Sequence, residues 1–146
     1  MNNLRVSVVI PSYNRYEYLL NAINSVLNQT YTNIEIIVVN DGSTQEEYFA
    51  NELPAEVKII HINRDQTPNW GGSRPAVRNY GIKASSGDYI AFLDDDDFWL
   101  PEKLEYQINE MQKNNVGISC SEGYFGVGVY DPTENYKLYN SEHHFK

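Results

Sequence analysis

Four short, mostly apolar runs limit what this chain can fold into: residues 6–10, 34–39, 57–62 and 89–93. Such near-continuous runs are what strands buried on both faces require. Helical patterns lie between them. Leu19, Leu20, Ile23, Val26 and Leu27 recur with the spacing of one helix face. Ser43-Thr44-Gln45-Glu46 has the S-x-x-E form of a capping box, which predicts a short helix ended by Pro54. Ser73 and Pro75 read as the N-cap and early proline of a helix reaching Ala84, with Ser85-Ser86-Gly87-Asp88 as its turn. Pro101 and Glu102 open a further helix with Leu104, Ile108 and Met111 inward, stopped by Asn114-Asn115 and Gly117. Residues 116–120 and 126–130 are expected as additional strands. Strands alternating with helices imply right-handed βαβ units. The expected fold class is therefore α/β, with a mostly parallel sheet and helices on both faces.

The chain of 146 residues is expected to form one domain, 1–146, without repeat or linker. Residues 131–146 are polar and aperiodic, and read as a peripheral loop or a cut end. The net charge of −9 argues against a nucleic-acid partner, because phosphate binding needs clustered Lys and Arg. No apolar run approaches the roughly 20 residues of a membrane span. The N-terminus opens almost directly into a strand, so no signal peptide is expected. The single cysteine, Cys120, leaves no internal disulfide framework and points to a cytoplasmic protein. It is expected as a small buried residue.

In an open parallel sheet, ligands bind beyond the carboxyl ends of the strands. Here the four ends carry Pro11-Ser12-Tyr13-Asn14-Arg15, Asn40-Asp41-Gly42-Ser43, Asn63-Arg64-Asp65 and Asp94-Asp95-Asp96-Asp97. Polar groups at all four ends point to one shared site. The aspartate run is the sharpest feature, because adjacent carboxylates repel and burial raises their pKa values. It is tolerable as a solvated loop, or with a hard divalent cation such as Mg²⁺ or Mn²⁺. Phe98, Trp99, Leu100 and Pro101 are expected to anchor it. Asp41 either caps the following helix or accepts a hydrogen bond from a ligand N–H, and Ser43 already fills the cap role. Tyr13 offers a face to a flat base, or is a plain surface aromatic. Arg64, Arg74 and Arg78 either pair with phosphates or aspartates, or are ordinary surface cations. Gly71-Gly72 resembles a phosphate cradle only faintly.

Taken in order, these segments resemble the inverting family 2 glycosyltransferases of GT-A fold, whose sheet is Rossmann-like and binds a nucleotide-sugar. The carriers are Val6-Ser7-Val8-Val9-Ile10-Pro11-Ser12-Tyr13-Asn14-Arg15, Ile37-Val38-Val39-Asn40-Asp41-Gly42-Ser43, Ala76-Val77-Arg78-Asn79-Tyr80-Gly81 and the D-x-D-like stretch from Leu93 to Leu104. Residues 1–118 match well and 119–146 poorly. The resemblance implies a donor nucleotide, a UDP-sugar by preference, bound by Pro11, Ser12, Tyr13, Asn14 and Arg15. Asp41 would accept from uracil N3–H, and Arg64 and Arg78 would lie near the base or the acidic segment. Asp94 and Asp95 would approach the ribose and diphosphate. Asp96, with Asp94 as its D-x-D partner, would hold Mn²⁺ or Mg²⁺, so that the cation stabilises the leaving diphosphate.

The chain departs from the family downstream. The family's general base usually lies well beyond D-x-D, yet Glu122, Asp131, Glu134 and Glu142 sit in no recognisable motif, and His143-His144 reads either as a metal ligand or base or, by preference, as a polar tail. Two readings remain at this point: a metal-dependent transferase acting on an unidentified acceptor, or a non-catalytic donor-binding module or donor half of a larger enzyme. A nucleotidyltransferase would need a Gly- and Lys-rich loop after the first strand, which is not there.

Overall fold

The computed structural model describes residues 4–50, 53–66, 75–128, 130–131 and 133–139. Gly71, Gly72, Ser73, Arg74, Glu142, His143 and His144 therefore lie outside the described residues. Four parallel strands form the sheet: β1 (Val6–Ser12), β2 (Ile34–Asn40), β3 (Val57–His61) and β4 (Tyr89–Phe92), in the order β3-β2-β1-β4. Ser12 pairs with Asn40, Asn40 with His61, and Val9 with Phe92. Their carboxyl ends therefore finish at one edge, as expected for an α/β sheet of this kind.

The two-residue alternation of each strand sorts its side chains into two layers. Val6, Val8 and Ile10 of β1, with Ile36 and Val38 of β2, pack with Leu19, Ala22, Ile23 and Val26 of α1 (Tyr16–Leu27) and with Leu104 and Ile108 of α3 (Lys103–Asn114). Val9, Ile37 and Val39 face the other way, toward Ile62 and toward Val77 of α2 (Pro75–Ala84). Fully burying one such aliphatic side chain contributes about 1.5–3 kcal/mol. Helix α2 lies so close to the sheet that a Cβ at Gly81 would come within 2.3 Å of Val9 Cγ1. Leu20 is only half-buried and Leu27 is exposed, so the inner face of α1 is narrower than its apolar pattern.

At the amino edge one carboxylate ties three segments together. Glu35 of β2 accepts hydrogen bonds from Ser7 Oγ, from Ser86 N at 2.6 Å and from Gly87 N at 3.1 Å. Arg5 stands 3.5 Å away. Burial pushes the Glu35 carboxyl up, but these donors and Arg5 outweigh it and leave the pKa below its usual value.

Four sequence expectations are corrected. The capping box yields only a single 3-10 turn, Glu46–Tyr48, and Ser43 does not cap it. Residues 116–120 form no strand. The Val116 N–H closes the end of α3 on Met111 O, after Asn115 turns left-handed, and the chain then leaves the sheet. The described residues of 126–130 form none either. Instead β5 (Tyr124–Phe125) and β6 (Lys137–Leu138) make a small separate antiparallel pair. Cys120 lies in that departing segment and is exposed, not buried. No helix among the described residues is long and apolar enough to cross a membrane.

Candidate functional site

Two turns at the carboxyl edge are buckled to each other. Asn14 adopts a left-handed φ of 51°, where a short polar side chain is tolerated. Its N–H donates to Ser43 Oγ at 2.9 Å, and its Oδ1 accepts from Thr44 N at 2.7 Å. Asn40 Oδ1 accepts from Ser43 N at 2.8 Å, and Asp41 N donates to Ser12 O at 2.9 Å. Ser43 is thus occupied by Asn14, which is why it does not cap a helix. Pro11 sits in β1 opposite Val39 and is partly buried.

This clasp sets Asp41 and Tyr13 in a first cluster. Asp41 is buried, and its Oδ2 accepts from Arg64 Nη1 at 2.8 Å. The Arg64 guanidinium lies 3.5 Å from the centroid of the Tyr13 ring, a cation–π stack. Gly42 between them has a φ of 73°, and a Cβ there would come within 2.9 Å of Arg64 Cβ. Glycine is needed both for the turn and for the arginine's approach.

The second cluster is built on the aspartate run. Asp95 is buried; its Oδ2 accepts from Ser12 Oγ at 2.7 Å and its Oδ1 from Arg15 Nη1 at 3.4 Å. Arg15 Nη1 also reaches Asp96 Oδ2 at 2.5 Å, and Arg78 Nη2 pairs with Asp94 Oδ1. Asp94 and Asp96 each keep their side chains 49% exposed, so the neighbours of Asp95 face outward while Asp95 turns in. Burial raises the Asp95 pKa against the pull of Ser12 and Arg15. Asp97 is also raised, by burial and then by Asp94, Asp96 and Asp95. Arg15 is held more firmly protonated, chiefly by Asp95.

Several supporting residues had no local sequence signal. Tyr48 is buried, bonds Ser12 Oγ through its hydroxyl, and accepts from Arg15 N at 3.2 Å. Of the expected anchors after the run, Trp99 alone is buried; Phe98 and Leu100 are exposed. Trp99 N donates to Ser25 Oγ at 3.2 Å, and Lys103 Nζ lies 4.0 Å from the Trp99 ring. Burial lowers the Lys103 pKa to about 8. Gln29 links the ends of α1 and α3 by donating to Leu100 O at 2.8 Å and accepting from Leu104 N at 3.0 Å.

The model of the family described as Glycosyl transferase family 2 matches residues 7–145. The chain belongs to glycosyltransferase family 2. An uncharacterized glycosyltransferase of Rickettsia bellii is 44% identical over 115 residues, which are 79% of this chain and 16% of that protein. The Escherichia coli UDP-Glc:alpha-D-GlcNAc-diphosphoundecaprenol beta-1,3-glucosyltransferase WfgD is 38% identical over 80% of this chain and 44% of its own length. Against both, the family 2 chain spans less than half of the relative. The crystal structure of S. aureus TarS 1-349 in complex with UDP-GlcNAc matches with a TM-score of 0.62 and 25% identity, over 77% of this chain and 32% of that one. The GDP-Man- and Mn²⁺-bound mannosyltransferase PcManGT of Pyrobaculum calidifontis shares the fold, with a TM-score of 0.62 at 18% identity. The parallel four-stranded sheet with helices is that of the GT-A glycosyltransferases.

Proposed function

We propose that this family 2 chain binds a UDP-sugar with a divalent cation and transfers the sugar, with inversion, to an acceptor hydroxyl. The observation that carries this reading is the meeting of a stackable ring (Tyr13), a buried acceptor (Asp41) and outward-facing carboxylates (Asp94 and Asp96) at the ends of parallel strands. The names of WfgD and of the UDP-GlcNAc-bound TarS structure support the choice of nucleotide.

Tyr13 takes the base on its face, with Pro11 beside it, and Asp41 accepts the N3–H that uracil offers and cytosine lacks. Ser12 fixes Asp95, and Asn14 holds the turn that aims Tyr13. Arg15, Arg64 and Arg78 neutralise the carboxylates and stand beside the incoming diphosphate. Among the described residues no three His, Cys, Asp or Glu side chains form a ready metal cage. Two exposed carboxylates nevertheless suit Mg²⁺ or Mn²⁺, which commonly take one or two carboxylates and complete their shell with substrate phosphates. Asp94 and Asp96 are the residues that would hold the ion. When bound, it supplies Lewis-acid stabilisation of the departing diphosphate. Bare aspartates beside a diphosphate repel it, so Asp96 works in donor binding only through the cation.

A second reading, a donor-binding module or donor half that transfers nothing alone, is favoured by the state of the downstream carboxylates. Asp131 accepts from Thr133 N and Oγ1, which lower its pKa, and Glu122 and Glu134 are exposed. Asp131 is tied to its own loop by these bonds, and none of the three sits in a buried setting of the kind that holds a general base. An assay of UDP release from UDP-glucose and UDP-GlcNAc with Mn²⁺ separates the readings. Release that a chelator stops supports the transferase. Manganese-dependent UDP binding without release supports the module, and absence of both rejects the two together.

A further inference from the structure

We propose that Arg64 is the resident occupant of the base seat, and that a nucleotide binds by exchanging with its guanidinium on Tyr13 and Asp41. This rests on the reading above that Tyr13 and Asp41 receive the base. A uracil ring needs a flat surface to stack on and an acceptor for one edge N–H. The guanidinium has the same two attributes, being planar and carrying N–H donors at its edge. It already makes both contacts, 3.5 Å from the Tyr13 centroid and 2.8 Å from Asp41 Oδ2. Nη1 also lies 3.4 Å from Asp41 O. Two flat groups cannot stack in contact on the same face of one ring, so a base on this face must evict the arginine.

The local chain is built for both states. The missing Cβ at Gly42 lets Arg64 lie over the turn. Arg64 itself stands in the single 3-10 turn Arg64–Gln66, with its side chain about one-third exposed at 34%. Swinging outward therefore breaks the stack and the ion pair without opening the core. The arrangement also selects among ligands. A base with an edge N–H replaces the donor that Asp41 loses. A base presenting an acceptor there leaves a buried carboxylate without that donor, which is costly.

The test is a titration of wild-type protein, Arg64→Ala and Arg64→Lys with uridine and cytidine, followed by ¹H–¹⁵N NMR. Nucleosides carry no phosphate, so any role of Arg64 toward the diphosphate drops out. The same spectra report whether each variant is folded. Arg64→Ala is expected to bind uridine about three- to thirtyfold more tightly than wild type, because no cation–π stack or ion pair has to be broken. Arg64→Lys keeps a cation for Asp41 but no flat group for Tyr13, and should fall between the two. Unchanged or weaker uridine binding by Arg64→Ala, with wild type binding, overturns the exchange and makes Arg64 a support for the base. If neither wild type nor Arg64→Ala binds uridine, the base-seat reading itself fails, and the exchange with it.

Discussion

The two edges of the sheet both hold carboxylates against other groups, and partner them differently. At the amino edge Glu35 is held chiefly by a serine hydroxyl and two backbone N–H groups, donors that belong to the fold, with Arg5 3.5 Å away. At the carboxyl edge the partners of Asp41, Asp94 and Asp96 include arginine side chains on long stems. Fixed backbone donors lower a carboxylate's pKa and tie segments together. Guanidinium partners on side-chain stems keep the charges tolerable without fixing them to the backbone.

The largest effect that sharpens this contrast should come from Asp96→Ala. It removes an exchangeable carboxylate, and should weaken manganese-dependent UDP binding by about ten- to a hundredfold while leaving the melting temperature nearly unchanged. Calorimetry with and without Mn²⁺, beside a thermal melt, measures both. Gly87→Ala should do the opposite. Its new Cβ would meet Arg5 O and Ser7 Oγ at 2.7 Å, costing about 1–3 kcal/mol of stability, with UDP affinity retained in the folded fraction. A loss of UDP affinity without loss of stability would break the division between edges. Asp41→Ala comes next. The uridine-over-cytidine preference should shrink by about three- to tenfold, the worth of one hydrogen bond, as read by competitive titration.

The smallest effect is a pH signature with opposite signs. Glu35 has a folded pKa below its unfolded value, so its stabilisation is complete above the unfolded pKa and is lost as pH falls through the folded one. Asp95 and Asp97 have raised folded values, so the fold gains stability as they take up protons on mild acidification. Melting temperature should therefore rise slightly below neutrality before falling in stronger acid. Asp97→Asn should remove part of the rise and Glu35→Gln part of the fall. Unchanged profiles in both variants would show that neither edge is electrostatically set.

Strands β1 and β2 were legible because burial on two faces writes itself into local composition, and Leu104, Ile108 and Met111 mark α3 by their burial. Strands β3 and β4 were legible by apolar content alone, since as edge strands they are only half-buried and Ile90 and Phe92 stay exposed. Local signals failed where distant partners decided the outcome. The S-x-x-E box lost its cap because Asn14 N, 29 residues away in sequence, claims Ser43 Oγ. Apolar character at Val116 and Ile118 did not make a strand, because Val116 N serves the end of α3 and the side chains stay exposed. The aspartate run and Asp41 stood out because charge directly after a buried strand is conspicuous. Tyr48 and Gln29 did not, since their partners Ser12 and Leu104 lie 36 and 75 residues off and no spacing rule joins them. The pairing of each aspartate with its own arginine was equally unreadable, because any of several cations could have served.

The most direct test is a calorimetric titration of the folded chain with UDP, in Mn²⁺ and again after chelation. Tight binding in manganese that collapses on chelation is the predicted result. Equal affinity in both conditions, or no heat in either, would contradict the claim that the Asp94–Asp96 corner holds a cation for a nucleotide diphosphate.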